Sequence, residues 1–193
     1  WHFRAPDPEQ DAGRRGAVAL IRAEKLTPAI GAVLTGVDFS APLDAATHDA
    51  IYQALMDHLV IFFRDVSISP EAHLEFAQGF GDLDQPHPLY PHVPGLDRVM
   101  VLENDADRPP DTDSWHTDLT FKSEQPFASI LVARHVPEVG GDTMWSSNYS
   151  AYDRLPDGMK VDLDGLEAVH DLGDFRNSFA GGDVEMNAGV AKL

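Results

Sequence analysis

Apolar residues fall into short runs broken by Gly, Pro and Asp, and their spacing changes along the chain. From Ala17 to Phe39 they alternate loosely, with Val18 and Leu20 followed by Ile30, Ala32 and Leu34. That pattern predicts two strands joined near Thr27–Pro28. After Asp44, the four-residue spacing of Ile51, Leu55 and Leu59 predicts an amphipathic helix over 45–58. The run LVIFF at 59–63, bounded by Arg64 and Asp65, predicts a buried strand. Ser69–Pro70 supplies an N-cap followed by a proline at the first helical position, and Leu74, Ala77 and Phe80 continue as a helical stripe that Gly81 stops. Further strands are expected at 98–102, 117–121, 128–134, 142–146 and 166–171, with a turn at Gly140–Gly141 and a short helix over 148–155.

This succession of short strands with a few helices outside them argues for a mainly β protein with helical insertions, a sandwich or jelly roll. Residues 1–16 carry two prolines, two glycines and no periodicity, and read as a flexible leader. Residues 17–193 read as a single domain.

Composition narrows the function. The formal charge of −18 makes phosphate backbones and anionic membranes poor partners, so neither nucleic acid nor membrane binding is expected. A small anionic ligand would need a local cluster of cations against that field. The absence of cysteine excludes disulfides, thiolate catalysis, iron–sulfur clusters and cysteine-based zinc sites. The apolar runs are far shorter than a membrane span, and no basic-then-apolar signal opens the chain, so a cytoplasmic location is expected. A homo-oligomer is compatible with the sequence.

The sharpest chemical signal is Trp115-His116-Thr117-Asp118. On an extended strand residues i and i+2 face the same way, so His116 and Asp118 can reach one point with an imidazole nitrogen and a carboxylate oxygen. Such a pair is two-thirds of the 2-His-1-carboxylate triad that binds Fe(II) and leaves positions open. Taken alone, an HxD triplet is far more often a surface or hydrogen-bonded pair than a metal site.

The wider text decides between them. SWHTDLTF (114–121), PFASILVARHVPEVGGDTMWSS (126–147), AYDRLP (151–156), HPLYPH (87–92) and VIFFRD (60–65) together resemble the taurine dioxygenase family, in that family's order, from about Leu26 to Phe179. The resemblance implies an Fe(II)- and 2-oxoglutarate-dependent dioxygenase on a double-stranded β-helix. It implies hydroxylation of the carbon next to a sulfonate, with release of sulfite and an aldehyde besides succinate and CO2. The small-molecule sulfonate, 2-oxoglutarate and O2 would be its partners. Carried over residue by residue, it puts two iron ligands at His116 and Asp118 and the 2-oxoglutarate contact at Thr143. The substrate pocket falls on His87, Tyr90 and Phe179, with Leu119 and Phe121 nearby. His87 and Tyr90 can donate hydrogen bonds to sulfonate oxygens, and Phe179 would exclude water.

Thr112 stands where taurine enzymes carry asparagine, which keeps an alkyl sulfate or an aryloxyacetate open as the substrate. The third iron ligand, a distal histidine, and the arginines for 2-oxoglutarate and sulfonate are expected beyond Leu193. His92 reads as a loop residue, and His135 and His170 read as structural rather than as that ligand. The C-terminal part of the barrel is therefore expected outside this sequence. A non-catalytic binding relative or fragment is the reading from another class.

Overall fold

The computed structural model describes residues 20–87, 90–105, 107 and 114–170. Strand β1 (Arg22–Lys25) pairs antiparallel with β2 (Ala32–Thr35), Arg22 facing Thr35 and Lys25 facing Ala32. The connection is held by Thr27, whose hydroxyl donates to the Ile30 carbonyl at 2.6 Å and accepts from the Ile30 N–H at 3.0 Å. A short polar side chain here does the work of a backbone turn. Gly31 closes the loop with φ 92, a left-handed conformation in which a side chain is strained.

Helix α1 (Ala45–His58) then crosses from β2 to β3 (Ile61–Phe63), and β3 adds to the sheet parallel to β2. The Asp44 carboxylate caps the helix by accepting from the Thr47 N–H at 2.8 Å. Its last turn closes where the Leu59 N–H reaches the Leu55 carbonyl at 2.7 Å. Helix α2 (Pro70–Gln78) is capped by Ser69, whose hydroxyl accepts from the Ala72 N–H at 3.1 Å, with Pro70 placed where no amide is needed. It ends at Gln78, earlier than the expected stop at Gly81.

The core lies between this sheet and the two helices. Leu34, Ile51 and Phe76 form its centre, with Phe39, Phe63 and Phe80 packed around them. The aromatic rings meet edge to face, Phe39 on Phe63 at 5.1 Å and on Phe76 at 5.2 Å, the arrangement their quadrupoles favour. His48 of α1 enters the same cluster, stacked on Phe76 at 5.7 Å and edge-on to Phe80 at 5.2 Å. Gly79 makes room for it: a Cβ there would lie 2.0 Å from the His48 Cε1.

A second, two-stranded sheet joins β4 (His92–Val93) to β5 (Leu96–Met100). Two short helices, α3 (Asn148–Asp153) and α4 (Asp157–Leu163), follow. Helix α4 was not expected. It begins after Pro156 with Asp157 in its first turn and Lys160 near its end, charges that suit the helix dipole.

The early elements match the periodicity, whereas the later strands require correction. Residues 118–122 form a turn in place of a strand at 117–121, the Lys122 N–H bonding the Leu119 carbonyl at 3.1 Å and Leu119 sitting at φ 51. Segments 128–134, 142–146 and 166–170 carry no ladder among the described residues. A strand exists only by pairing, and apolar alternation signals a face rather than a partner. The described residues thus form a mixed three-stranded sheet, a hairpin and four helices, and a double-stranded β-helix is not closed by them.

Candidate functional site

Ser114 to Thr117 run without regular structure into the turn at 118–122, and this stretch brings His116 and Asp118 together. The His116 Nε2 lies 3.1 Å from the Asp118 Oδ1, with both side chains about half exposed. On the other side of the ring, the His116 Nδ1 lies 2.8 Å from the Ser114 carbonyl. A carbonyl can only accept, so Nδ1 carries a proton, and Nε2 is the ring nitrogen left to face the carboxylate or an ion. The second carboxylate oxygen of Asp118, Oδ2, accepts from the Ser129 hydroxyl at 3.1 Å.

This donor set fits a metal ion. Two ligands at about 2.1 Å from an ion and at right angles to one another stand about 3 Å apart, close to the distance between Nε2 and Oδ1. The fixed Nδ1–H and the bonded Oδ2 are the outer-shell restraints that metal-binding histidines and carboxylates carry. Among the described residues no group of three or more His, Cys, Asp or Glu side chains converges on such a point. His135 and His170 lie exposed on the surface.

The loop before β4 carries His87 and Tyr90, whose rings meet with centroids 4.7 Å apart and planes inclined by 40°. Arg98 of β5 anchors this loop, donating to the carbonyls of Leu83, at 2.8 Å, and Asp84, and to the Gln85 side chain. Lys122, in the turn after Asp118, reaches back to the Asp84 carboxylate at 2.7 Å. Burial pushes the Asp84 carboxyl up, but the Lys122 and Gln85 hydrogen bonds with the Lys122 and Arg98 charges outweigh it and hold it below its usual range. The histidine–tyrosine loop and the His116–Asp118 turn are thereby fastened to each other.

Three contacts seat the remaining segments on the core. His73 of α2 donates from Nε2 to the Ile130 carbonyl at 3.1 Å, and Tyr52 of α1 stacks on Phe127 at 5.5 Å. Trp145 meets Phe62 of β3 edge-on at 5.3 Å, two residues beyond Thr143. Thr143 is exposed, after a turn in which Gly140 and Gly141 have φ of 80 and 70. Leu119 and Phe121 are half-buried within the 118–122 turn. His92 lies in β4 with its Nε2 buried and without a hydrogen-bond partner among the described residues. Thr112 and Phe179 lie outside the described residues. Sequence reasoning overlooked Ser114, Ser129, His73, Asp84, Arg98 and Lys122. Each acts through a contact that no short motif encodes, although Lys122 follows the HTDLTF run directly.

The profile of the taurine catabolism dioxygenase TauD, TfdA family matches residues 22–188. The chain belongs to this family. An alkylsulfatase of Acinetobacter baylyi is 38% identical over 151 residues, covering 78% of this chain and 47% of the relative. An alpha-ketoglutarate-dependent sulfate ester dioxygenase of Pseudomonas putida is 41% identical over 144 residues, 73% of this chain and 46% of the relative. Among solved TauD, TfdA structures, a taurine dioxygenase from Burkholderia xenovorans superposes with a TM-score of 0.65 at 34% identity. That match covers 75% of this chain and 51% of the other. The chain spans about half the length of the curated relatives it matches. Among the described residues no helix is long and apolar enough to cross a membrane.

Proposed function

We propose that the protein is an Fe(II)- and 2-oxoglutarate-dependent dioxygenase of the double-stranded β-helix fold, and that it hydroxylates the carbon bearing a sulfate ester. The observation that carries the chemistry is the His116–Asp118 pair, with Nε2 and Oδ1 3.1 Å apart and Nδ1 fixed by the Ser114 carbonyl. The substrate class rests on the alkylsulfatase and the sulfate ester dioxygenase, 38% and 41% identical to this chain. It also rests on Thr112, where taurine enzymes carry asparagine.

Iron with 2-oxoglutarate and O2 supplies the oxidising power that replaces a C–H bond by C–OH. His116 and Asp118 would hold the metal, the imidazole giving an uncharged donor and the carboxylate one negative charge. Thr143 would contact 2-oxoglutarate. His87 and Tyr90 would donate to the sulfur oxyanion, their rings braced against each other and their loop clamped by Arg98. Leu119, Phe121 and Phe179 would keep water from the reacting carbon. A hydroxyl on the carbon that bears the ester oxygen makes a hemiacetal-like ester, which collapses to an aldehyde and sulfate. The balance is R–CH2–OSO3⁻ with 2-oxoglutarate and O2 giving R–CHO, HSO4⁻, succinate and CO2.

A taurine-type sulfonate is the second reading, favoured by the likeness to the Burkholderia xenovorans taurine dioxygenase. There the same step releases sulfite. The test is succinate formation by the full-length protein with Fe(II), against an alkyl sulfate, taurine and an aryloxyacetate. Sulfate and aldehyde in equal amounts from an alkyl sulfate support the proposal. Sulfite from taurine alone transfers it to the second reading, and no substrate-dependent succinate from any of the three overturns both.

A further inference from the structure

The His116–Asp118 pair is open to solvent, and an exposed carboxylate rotates freely unless something stops it. Oδ1 lies 3.1 Å from the His116 Nε2, and fixing the plane of the carboxylate needs a second hold, on Oδ2. Its partner is the Ser129 hydroxyl at 3.1 Å, supplied from eleven residues further along the chain. Ser129 is itself held. The next residue's carbonyl, that of Ile130, accepts from the His73 Nε2 at 3.1 Å, and the Ile130 side chain packs against the Leu34, Ile51 and Phe76 core. Two residues before Ser129, Phe127 is stacked on Tyr52 of α1. Both sides of Ser129 are thus pinned to helices of the core, while Ser129 reaches the one carboxylate oxygen turned away from the histidine.

We infer that Ser129 is a positioning residue for the Asp118 ligand, holding Oδ1 toward the metal by bonding Oδ2 and linking the site to the α1–α2 core. This rests on the metal-centre reading above. The hydroxyl can donate to Oδ2 whether or not an ion is bound, so the carboxylate is oriented before the ion arrives. Preorganisation of this kind acts on affinity, and loss of such an outer-shell bond costs about tenfold or more in metal binding.

The experiment is a titration of the full-length protein with Mn(II), a redox-inert probe, following free Mn(II) by electron paramagnetic resonance. Ser129→Ala is expected to raise the Mn(II) dissociation constant about tenfold, and Ser129→Thr, which keeps the hydroxyl, to return it to within about threefold of wild type. Thermal unfolding without metal is expected to be the same for all three proteins, because Ser129 is exposed, while the rise in midpoint on adding Mn(II) shrinks in Ser129→Ala. Equal affinities for wild type and Ser129→Ala overturn the role of Ser129 and leave the metal centre standing. A wild-type protein that takes up no Mn(II), or that takes it up equally after His116→Ala, overturns the metal centre and the inference together. A metal-free midpoint that falls in Ser129→Ala, with unchanged affinity, assigns Ser129 to the fold.

Discussion

Gly79→Ala puts the packing of the core to a direct test. The residue has φ −64 and ψ −16, which any amino acid adopts, so the backbone raises no objection. On conformational grounds alone the substitution stabilises by about 0.4–1 kcal/mol, through the unfolded chain. The space is the obstacle. The new methyl would stand 2.0 Å from the His48 Cε1, 2.4 Å from Nδ1 and 2.5 Å from Nε2, where ordinary contact begins at 3.4 Å. The ring has to retreat by about 1.4 Å, and overpacking of this kind costs about 1–3 kcal/mol. Retreat also breaks the stack on Phe76 and the edge contact with Phe80, each worth about 0.5–1.5 kcal/mol. The net expectation is a loss of about 2 kcal/mol, or about 4–8 °C in Tm for a chain of this size. Thermal unfolding by circular dichroism measures it, and a double-mutant cycle isolates the cause. In a His48→Ala background the clash has no partner, so Gly79→Ala becomes neutral or slightly stabilising. An equal loss in both backgrounds would refute the assignment of the cost to the imidazole.

Three further outcomes follow from the contacts described. Lys122→Met removes the cation bonded to Asp84 at 2.7 Å and frees the His87–Tyr90 loop from the His116–Asp118 turn. Substrate KM should rise several-fold with kcat changed less, and steady-state kinetics on the substrate identified by the panel reads the split. Burial holds the His73 imidazole below its usual range, opposed by the Ile130 carbonyl and aided by the Arg134 charge. The unfolded chain therefore takes up a proton before the folded one does, so stability contributed by neutral His73 is complete above pH 6.5 and is lost as pH falls through the lowered folded value. Chemical denaturation between pH 7 and 5 should show that slope in wild type and a flatter one in His73→Gln. Finally, Asp118→Asn keeps the side-chain shape but removes the charge, and Mn(II) uptake should fall by at least tenfold with little change in the metal-free midpoint.

The legible part of this protein is the part whose contacts are local. Helix α1 lies over 45–58 as the spacing of Ile51, Leu55 and Leu59 requires, and Ser69–Pro70 marks the start of α2 to the residue. A helix satisfies its own backbone, so a stripe and a cap suffice to find it. The stretch at 117–121 misled because its apolar residues suit a strand, while the backbone turns at Leu119 with φ 51. Leu119 and Phe121 belong to the turn that begins at Asp118, and a local turn overrides strand propensity there. His116 and Asp118 stand together as their i, i+2 spacing suggested, but no strand carries them: an irregular stretch running into the 118–122 turn brings them within 3.1 Å. Ser129 was not legible, because nothing in its neighbourhood marks which residue eleven positions earlier it touches. The same holds for Lys122 and Asp84, which pair across the loop that carries His87.

The hydrophobic cluster has a temporal meaning as well as a spatial one. Apart from Ile130, every residue of it lies between Ile21 and Phe80. During synthesis at about 5–20 residues per second, Phe80 precedes Asp118 by about 2–8 s, longer than a unit of such local connectivity needs to collapse. The α1–α2 unit is then already present as a template when residues 114–130 emerge, and Phe127 and Ile130 dock onto finished surfaces. Damage divides accordingly. Substitutions at Ile51, Phe76 or Gly79 should strike the nascent chain and lower the amount of soluble protein, whereas those at His116 or Asp118 should leave the yield intact and, on the proposed function, abolish turnover.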